Sequence, residues 1–264
     1  MNWASACAAV IPCLNEERAI GPLVEAVRAQ VSTVYVVDDG SCDNTSARAQ
    51  AAGAIVLKNV SSQGKGAALT AGWSRAREHG FRWALSLDGD GQHSPEDIAR
   101  FFECAERTSA ALVVGNRMPA AAQMPRVRRW VNRFMSRQLS WLIGQAMPDS
   151  QCGFRLMNLE DWAGLPIRAE HFEIESEVLF QFAMAGRNIQ FVPIEVIYKQ
   201  EQSKIHPWRD SLRWLRWYQQ AGRARPSGGW TPGLAAKNRP KRDSMAPGIC
   251  DARRTSAQTH KPRR

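Results

Sequence analysis

Short apolar and β-branched runs recur along most of the chain, at residues 7–11, 34–38, 54–57, 83–87, 111–114 and 189–196. Each is short enough, and apolar enough throughout, to read as a strand buried on both faces. Helical spacing fills the gaps between the early runs, at 16–30, 45–52, 65–79 and 95–107. Two of these segments open on start signals: Asp43-Asn-Thr45, and Ser94-Pro95 followed by Glu96 and Asp97. Strand alternating with helix predicts an α/β fold, a mostly parallel sheet with helices on both faces. Beyond 114 the pattern changes to an Arg-studded segment at 124–144, a second α/β stretch and a final helix at 207–220. In the Arg-studded segment Val127, Val131, Phe134 and Trp141 form one stripe, and Arg126, Arg129, Arg133 and Arg137 another. The final helix repeats the pattern with Trp208, Leu212 and Leu215 against Arg209, Arg213 and Arg216. Such helices suit an anionic membrane surface, or they pack on a core and solvate a basic face.

Composition changes this picture mainly at the C-terminal end. The chain of 264 residues carries a net charge of +10, but residues 222–264 hold eleven Lys or Arg against two Asp. Pro, Gly and Ser dominate there without hydrophobic period. The expected organisation is therefore one domain at 1–221 and a disordered basic tail at 222–264. The tail's irregular charges, with Trp230 as its one aromatic, make a poor nucleic-acid module, so no specific nucleic-acid binding is expected. No run approaches the roughly 18 uncharged apolar residues of a membrane span. The first residues lack the basic start of a signal peptide, which predicts a cytoplasmic protein. Six cysteines at 7, 13, 42, 104, 152 and 250 form no CxxC pair and no zinc-type spacing.

The candidate chemistry gathers where strands end. One strand runs into Asp38-Asp39-Gly-Ser, another into Asp88-Gly-Asp90-Gly-Gln92. In an open α/β sheet, ligands bind at the carboxyl ends of strands. A hard cation takes carboxylate and other oxygen ligands with substrate phosphates completing the shell, which Asp88, Asp90 and Gln92 satisfy for Mg²⁺ or Mn²⁺. An EF-hand is excluded by His93 where glycine is required and by Ala99 where glutamate is required. Gly64-Lys65-Gly66 is not a P-loop, because Gly66 stands where Ser or Thr must hold the metal. It is suited either to approach a diphosphate or to pack closely on a neighbour.

With Ile11-Pro12-Cys-Leu-Asn15-Glu16, Asp38-Asp-Gly-Ser41, Gly64-Lys-Gly66, Asp88-Gly-Asp-Gly-Gln92, Gly115-Asn-Arg117, Asp149-Ser-Gln-Cys-Gly153-Phe-Arg155, Glu177 ahead of Gly186, Val192-Pro-Ile194 and Ser203-Lys204-Ile205 in order, the sequence resembles family 2 glycosyltransferases of the GT-A (Rossmann-like) fold. The branch it resembles most is that of the dolichol- or polyprenol-phosphate sugar transferases. The resemblance spans about residues 7–215 and implies an inverting transferase acting on a nucleoside-diphosphate sugar. Pro12, Glu16, Asp38, Asp39 and Lys65 would line the nucleotide sugar together with Asp88, and Asp88, Asp90 and Gln92 would surround the metal. Arg117 would face the phosphates, Lys204 would come from a loop closing over the diphosphate, and Arg128 and Asn132 would grip the acceptor phosphate. Leu14 departs from the aromatic residue common at its position.

A metal and Lys204 would neutralise the leaving diphosphate. A polyprenyl phosphate acceptor, with a second pKa near 6, is largely ionised at pH 7 and needs no strong base. A hydroxyl acceptor needs a carboxylate to take its proton, and Asp149 is the candidate. The expected setting is peripheral, on the inner face of the cell membrane. A silent nucleotide-sugar-binding protein is the alternative from another class.

Overall fold

The computed structural model describes residues 1–197 and 207–223. In chain order the elements are α1 (Trp3–Ala6), β1 (Cys7–Cys13), α2 (Ile20–Arg28), β2 (Thr33–Asp38), α3 (Thr45–Ala51), β3 (Ile55–Lys58), α4 (Lys65–Glu78), β4 (Trp83–Ser86), α5 (Ile98–Thr108), β5 (Leu112–Asn116), α6 (Arg126–Ile143), β6 (Arg155–Asn158), α7 (Leu159–Ala163), α8 (Ile174–Met184), β7 (Ile189–Pro193) and α9 (Pro207–Arg223), with 3₁₀ turns at Pro95–Asp97 and Met118–Gln123. The seven strands form one sheet in the order β3-β2-β1-β4-β6-β5-β7. All neighbours are parallel except β6, which runs antiparallel between β4 and β5.

The six expected strands are present within a few residues of their anticipated bounds. Strand β6 was not expected, and its Arg155-Leu-Met-Asn158 shows why: its polar ends break the apolar run, Arg155 reaching to Glu175 O and Asn158 serving as the cap of α7. The antiparallel direction has a consequence for the site. Arg155 pairs with Ser86 and Val114, so the start of β6 lies at the edge where its parallel neighbours end.

Helix α2 starts at Ile20 rather than at 16. The preceding Asn15 adopts a positive φ of 53°, and the amides of Asn15, Glu16 and Glu17 donate to Ser41 Oγ, Thr45 Oγ1 and Asp43 Oδ2. Those donors are committed across the chain rather than along a helix. Asn158 caps α7 by accepting from Glu160 and Asp161 N–H. Helix α8 is buried nearly all round, including Glu175 and Glu177, so it has no amphipathic period for a sequence reading to detect.

The two cationic helices are placed differently from their expected stripes. On α6, Val127, Trp130, Phe134 and Trp141 are exposed, and Asn132, Ser136, Leu139, Leu142 and Ile143 face inward. Val131 and Arg129 are half-buried, the latter donating to Ala121 O at 3.3 Å. On α9, Leu212 and Leu215 point outward, and Trp214 and Ala221 make the buried contact; the side chain of Trp208 is outside the described set. Helix α9 runs on through Gly222 and Arg223, past the expected boundary at 221, and the rest of the expected tail lies outside the described residues. No helix among the described residues is long and apolar enough to cross a membrane.

Leu156 of β6 is fully buried between β4 and β5. Leu156→Ala is expected to cost about 2–5 kcal/mol, read as a lowered urea midpoint with an unchanged slope.

Candidate active site

The loops after β1, β2 and β4 and the start of β6 meet at one edge of the sheet. On the β1–β2 side the acids serve the loops themselves. Asp38 accepts from Ser41 N–H at 2.8 Å and from the Ser46 hydroxyl. Burial pushes its carboxyl up, but those hydrogen bonds outweigh it and hold it below the usual carboxylate range. Asp39, 5% exposed, accepts four bonds of 2.7–2.9 Å, from Asn59 Nδ2, Ser62 Oγ, Gln63 N–H and Gly64 N–H. One carboxylate thereby folds the whole segment that leads into α4. Pro12 is buried in β1, and Glu16 is half-buried beside this cluster.

Gly64, with φ of 106°, and Gly66 open α4 against residues 169–171. A Cβ on Gly66 would lie 2.6 Å from the Glu170 carbonyl carbon. The next amide, Ala67 N–H, already donates to Glu170 O at 3.0 Å. Of the two uses the sequence left open for this turn, close packing is the one these contacts realise. Glu177 holds the facing segment by accepting from Arg168 and Ala169 N–H at 2.9 and 2.6 Å.

Lys65 points Nζ between two carboxylates, 2.5 Å from Asp88 Oδ1 and 2.6 Å from Glu175 Oε1, and it lies over the Phe172 ring at 5.7 Å. Burial disfavours the ammonium, but Asp88 and Glu175 outweigh it and hold the lysine above its usual range. The second oxygen of Asp88 is 3.3 Å from His93 Nε2. Burial raises the Asp88 carboxyl, and Lys65 and His93 more than reverse this, keeping it far below the ordinary value. Gly153 passes close over the same group, since a Cβ there would meet Asp88 Oδ1 at 2.5 Å. Asp90 is half-buried and accepts Gln92 N–H at 3.0 Å through Oδ1.

The opposite half is organised by a buried ion pair. Asp149, fully buried, takes Arg117 N–H and Nε on Oδ2 at 3.0 and 2.8 Å, and Arg117 Nη2 and Asn132 Nδ2 on Oδ1 at 2.8 and 2.9 Å. Burial alone would raise its carboxyl, but the Arg117 charge and these donors hold it below the usual range. All its lone pairs are used and its affinity for a proton is reduced. Asp149, the carboxylate expected as a general base, is thus paired with Arg117. Asn132 is also committed, because its Oδ1 accepts from Ser136 Oγ at 3.1 Å. Arg117 Nη1 makes no hydrogen bond among the described residues, and neither does the side chain of the half-buried Arg128. Lys204 lies outside the described residues.

Glu175 and Arg155 are the site residues the sequence reading did not assign. Arg155, 4% exposed, donates to the carbonyls of Cys152, Glu175 and Ser150 at 2.8, 2.7 and 3.0 Å. The cluster Glu173-Ile-Glu175-Ser-Glu177 in an apolar setting was the one available signal for Glu175.

The residues suited to a divalent cation are Asp90, with Asp88 and Gln92 beside it. The donor set fits a hard cation by type. Among the described residues no group of three or more His, Cys, Asp or Glu is placed to hold a metal by itself.

A family model described as glycosyl transferase family 2 matches residues 8–163. The UDP-N-acetylglucosamine–dolichyl-phosphate N-acetylglucosaminyltransferase of Methanococcus voltae is 30% identical over 212 residues, covering 72% of this chain and 84% of that protein. The undecaprenyl-phosphate mannosyltransferase of Micrococcus luteus is 28% identical over 204 residues, covering 72% and 83%. Among solved structures, glucosyl-3-phosphoglycerate synthase of Mycobacterium tuberculosis, with Mn²⁺, UDP-glucose and phosphoglyceric acid, matches with a TM-score of 0.68 at 23% identity over 84% of this chain and 81% of that one. This last likeness concerns the fold.

The depressed carboxyl of Asp149 sets a pH dependence. Its contribution to stability is complete above the unfolded-state value near ~3.9 and is lost as pH falls through the lower folded-state value. Asp149→Asn leaves the buried Arg117 charge uncompensated, and should cost about 3–5 kcal/mol at pH 7. The variant's stability should also fall less steeply than wild type below about pH 4, as measured by denaturant unfolding across pH.

Proposed function

The chain belongs to glycosyl transferase family 2 and is a glycosyltransferase of GT-A-like fold, and from that premise we propose that it transfers a sugar from a nucleoside diphosphate to a polyprenyl phosphate, with inversion, using Mg²⁺ or Mn²⁺. The observation that carries the acceptor half is the saturated Asp149. A hydroxyl nucleophile needs a base, and the carboxylate beside Arg117 accepts four hydrogen bonds and resists protonation. A phosphate monoester is already largely ionised at neutral pH, and cations are what it needs. Arg117, locked by Asp149, and Arg128 are those cations in this reading. Relatives named for dolichyl and undecaprenyl phosphate support the same acceptor class.

On the donor side, Pro12, Glu16 and the loops held by Asp38 and Asp39 form the nucleotide end, and Asp90, with Asp88 and Gln92, holds the cation. The cation supplies charge against the leaving diphosphate when bound. Lys65 and Lys204 add positive charge from the protein, and the preset Arg117–Asp149 geometry costs no reorganisation during the reaction.

The outward face of α6 supports a peripheral place on an anionic membrane, on its cytoplasmic side. Val127, Trp130 and Trp141 are more than half exposed, Phe134 nearly half, and Arg126, Arg133 and Arg137 are exposed among them. Aromatic and basic groups on one helix surface suit the boundary of acyl chains and headgroups.

The test is transfer from labelled GDP- and UDP-sugars to polyprenyl phosphate in detergent. A lipid-soluble product is expected with Mg²⁺ or Mn²⁺, is abolished by EDTA, and falls about 100-fold or more in Asp90→Ala. Transfer only to a glycan or small-molecule hydroxyl, with Asp149→Asn rescued at high pH, would sink the acceptor assignment. Donor binding without turnover on any acceptor would leave a silent binding protein.

A further inference from the structure

Lys65 spans 110 residues of sequence to reach Glu175, and the same ammonium touches Asp88, the first acid of the metal motif. The side chains of Lys65 and Glu175 are 14% and 6% exposed, and that of Asp88 is 28%. Both carboxylates lie within reach of one ammonium, and Asp90 is two residues further on. Without the lysine, Asp88 and Glu175 would face each other as two carboxylates with no cation between them, the ligand type a divalent cation takes. With it, Asp88 has a cation on one oxygen and His93 on the other.

Resting on the donor and metal reading above, we propose that Lys65 is a built-in competitor of the divalent cation at Asp88, so that the metal is held only together with a nucleoside diphosphate. The diphosphate supplies the oxygens the protein lacks and offers Lys65 an anion in exchange for Asp88. Lysine suits this use because it is a compact charge on a flexible four-carbon stem. Its backbone is fixed by the packing of Gly64 and Gly66 on residues 169–171, so the exchange involves the side chain alone. Lys65 acts on the metal through Asp88.

The test is Mn²⁺ binding to the full chain, followed by the electron paramagnetic resonance of free Mn²⁺, with and without UDP or GDP. Wild type is expected to bind weakly alone and much more tightly with one of the nucleotides. Lys65→Met should bind Mn²⁺ alone about tenfold or more tightly than wild type, because a positive charge in direct contact with a ligand carboxylate is removed. Lys65→Arg, which keeps the charge, should restore wild-type behaviour, and adding Glu175→Gln to Lys65→Met should cancel the gain. Lys65→Gln retains a hydrogen-bond donor between the acids and must show the same gain if the methionine variant does not fold. Nucleotide-dependent binding by wild type with no gain in either uncharged variant overturns the competitor role alone. Wild type that fails to bind Mn²⁺ even with nucleotide overturns the metal reading and the inference with it.

Discussion

Arg155 is a full cation buried at the middle of the sheet's functional edge, and it is held by backbone rather than by a direct carboxylate partner. Its guanidinium donates to Ser150, Cys152 and Glu175 carbonyls. A charge removed from water is tolerated when its hydrogen-bonding capacity is met, and here two segments must stay in place to meet it. Two of those carbonyls belong to the loop that carries Asp149 and Gly153, and the third to the start of α8, which carries Glu175. The two ion systems of the site, Arg117–Asp149 and Lys65–Asp88–Glu175, are therefore built around one side chain. The insertion of β6 against the direction of its neighbours is what delivers Arg155 to that edge.

Around this centre the charges are arranged so that each buried acid is committed to a defined set of donors. Asp39 organises a loop, Asp149 a guanidinium, Glu177 a facing strand of backbone and Glu175 an ammonium. Preorganisation of this kind places the reorganisation cost in folding rather than in catalysis. It also leaves Asp90, Arg117 Nη1 and Arg128 as groups not saturated among the described residues, and these are the ones the proposed chemistry uses.

Much of the fold was legible because the six expected strands read as short apolar runs, and all but the edge strand β3 are largely buried on both faces. Strand β6 was not, since it is short and bounded by polar residues, Arg155 for a tertiary contact with Glu175 O and Asn158 as the cap of α7. Helix α8 left no period because it is buried nearly all round, and the start of α2 was misplaced because the amides of residues 15–17 are claimed by residues 41–45. In the site, the acids and Lys65 were visible from spacing, and their partners were not. The spacing of Asp88, Asp90 and Gln92 carries a short-range chemical demand, but the pairing of Lys65 with Glu175 exists only after folding. Asp149 shows the same limit from the other side. Its residue type suited a base, and only the count of donors around it showed that it holds an arginine in place.

The antiparallel strand also constrains how the chain can diverge. Side chains alternate faces along β6, so shifting its register by one residue would put Phe154 or Leu156 at the position of Arg155 and turn the guanidinium to the opposite face. At its far end Asn158 is equally anchored, capping α7 and donating its amide to Ala111 O at 2.9 Å. The segment from Asp149 to Asn158 is thus tied at both ends, and an insertion or deletion within it would pull either Arg155 or Asn158 away from its partners.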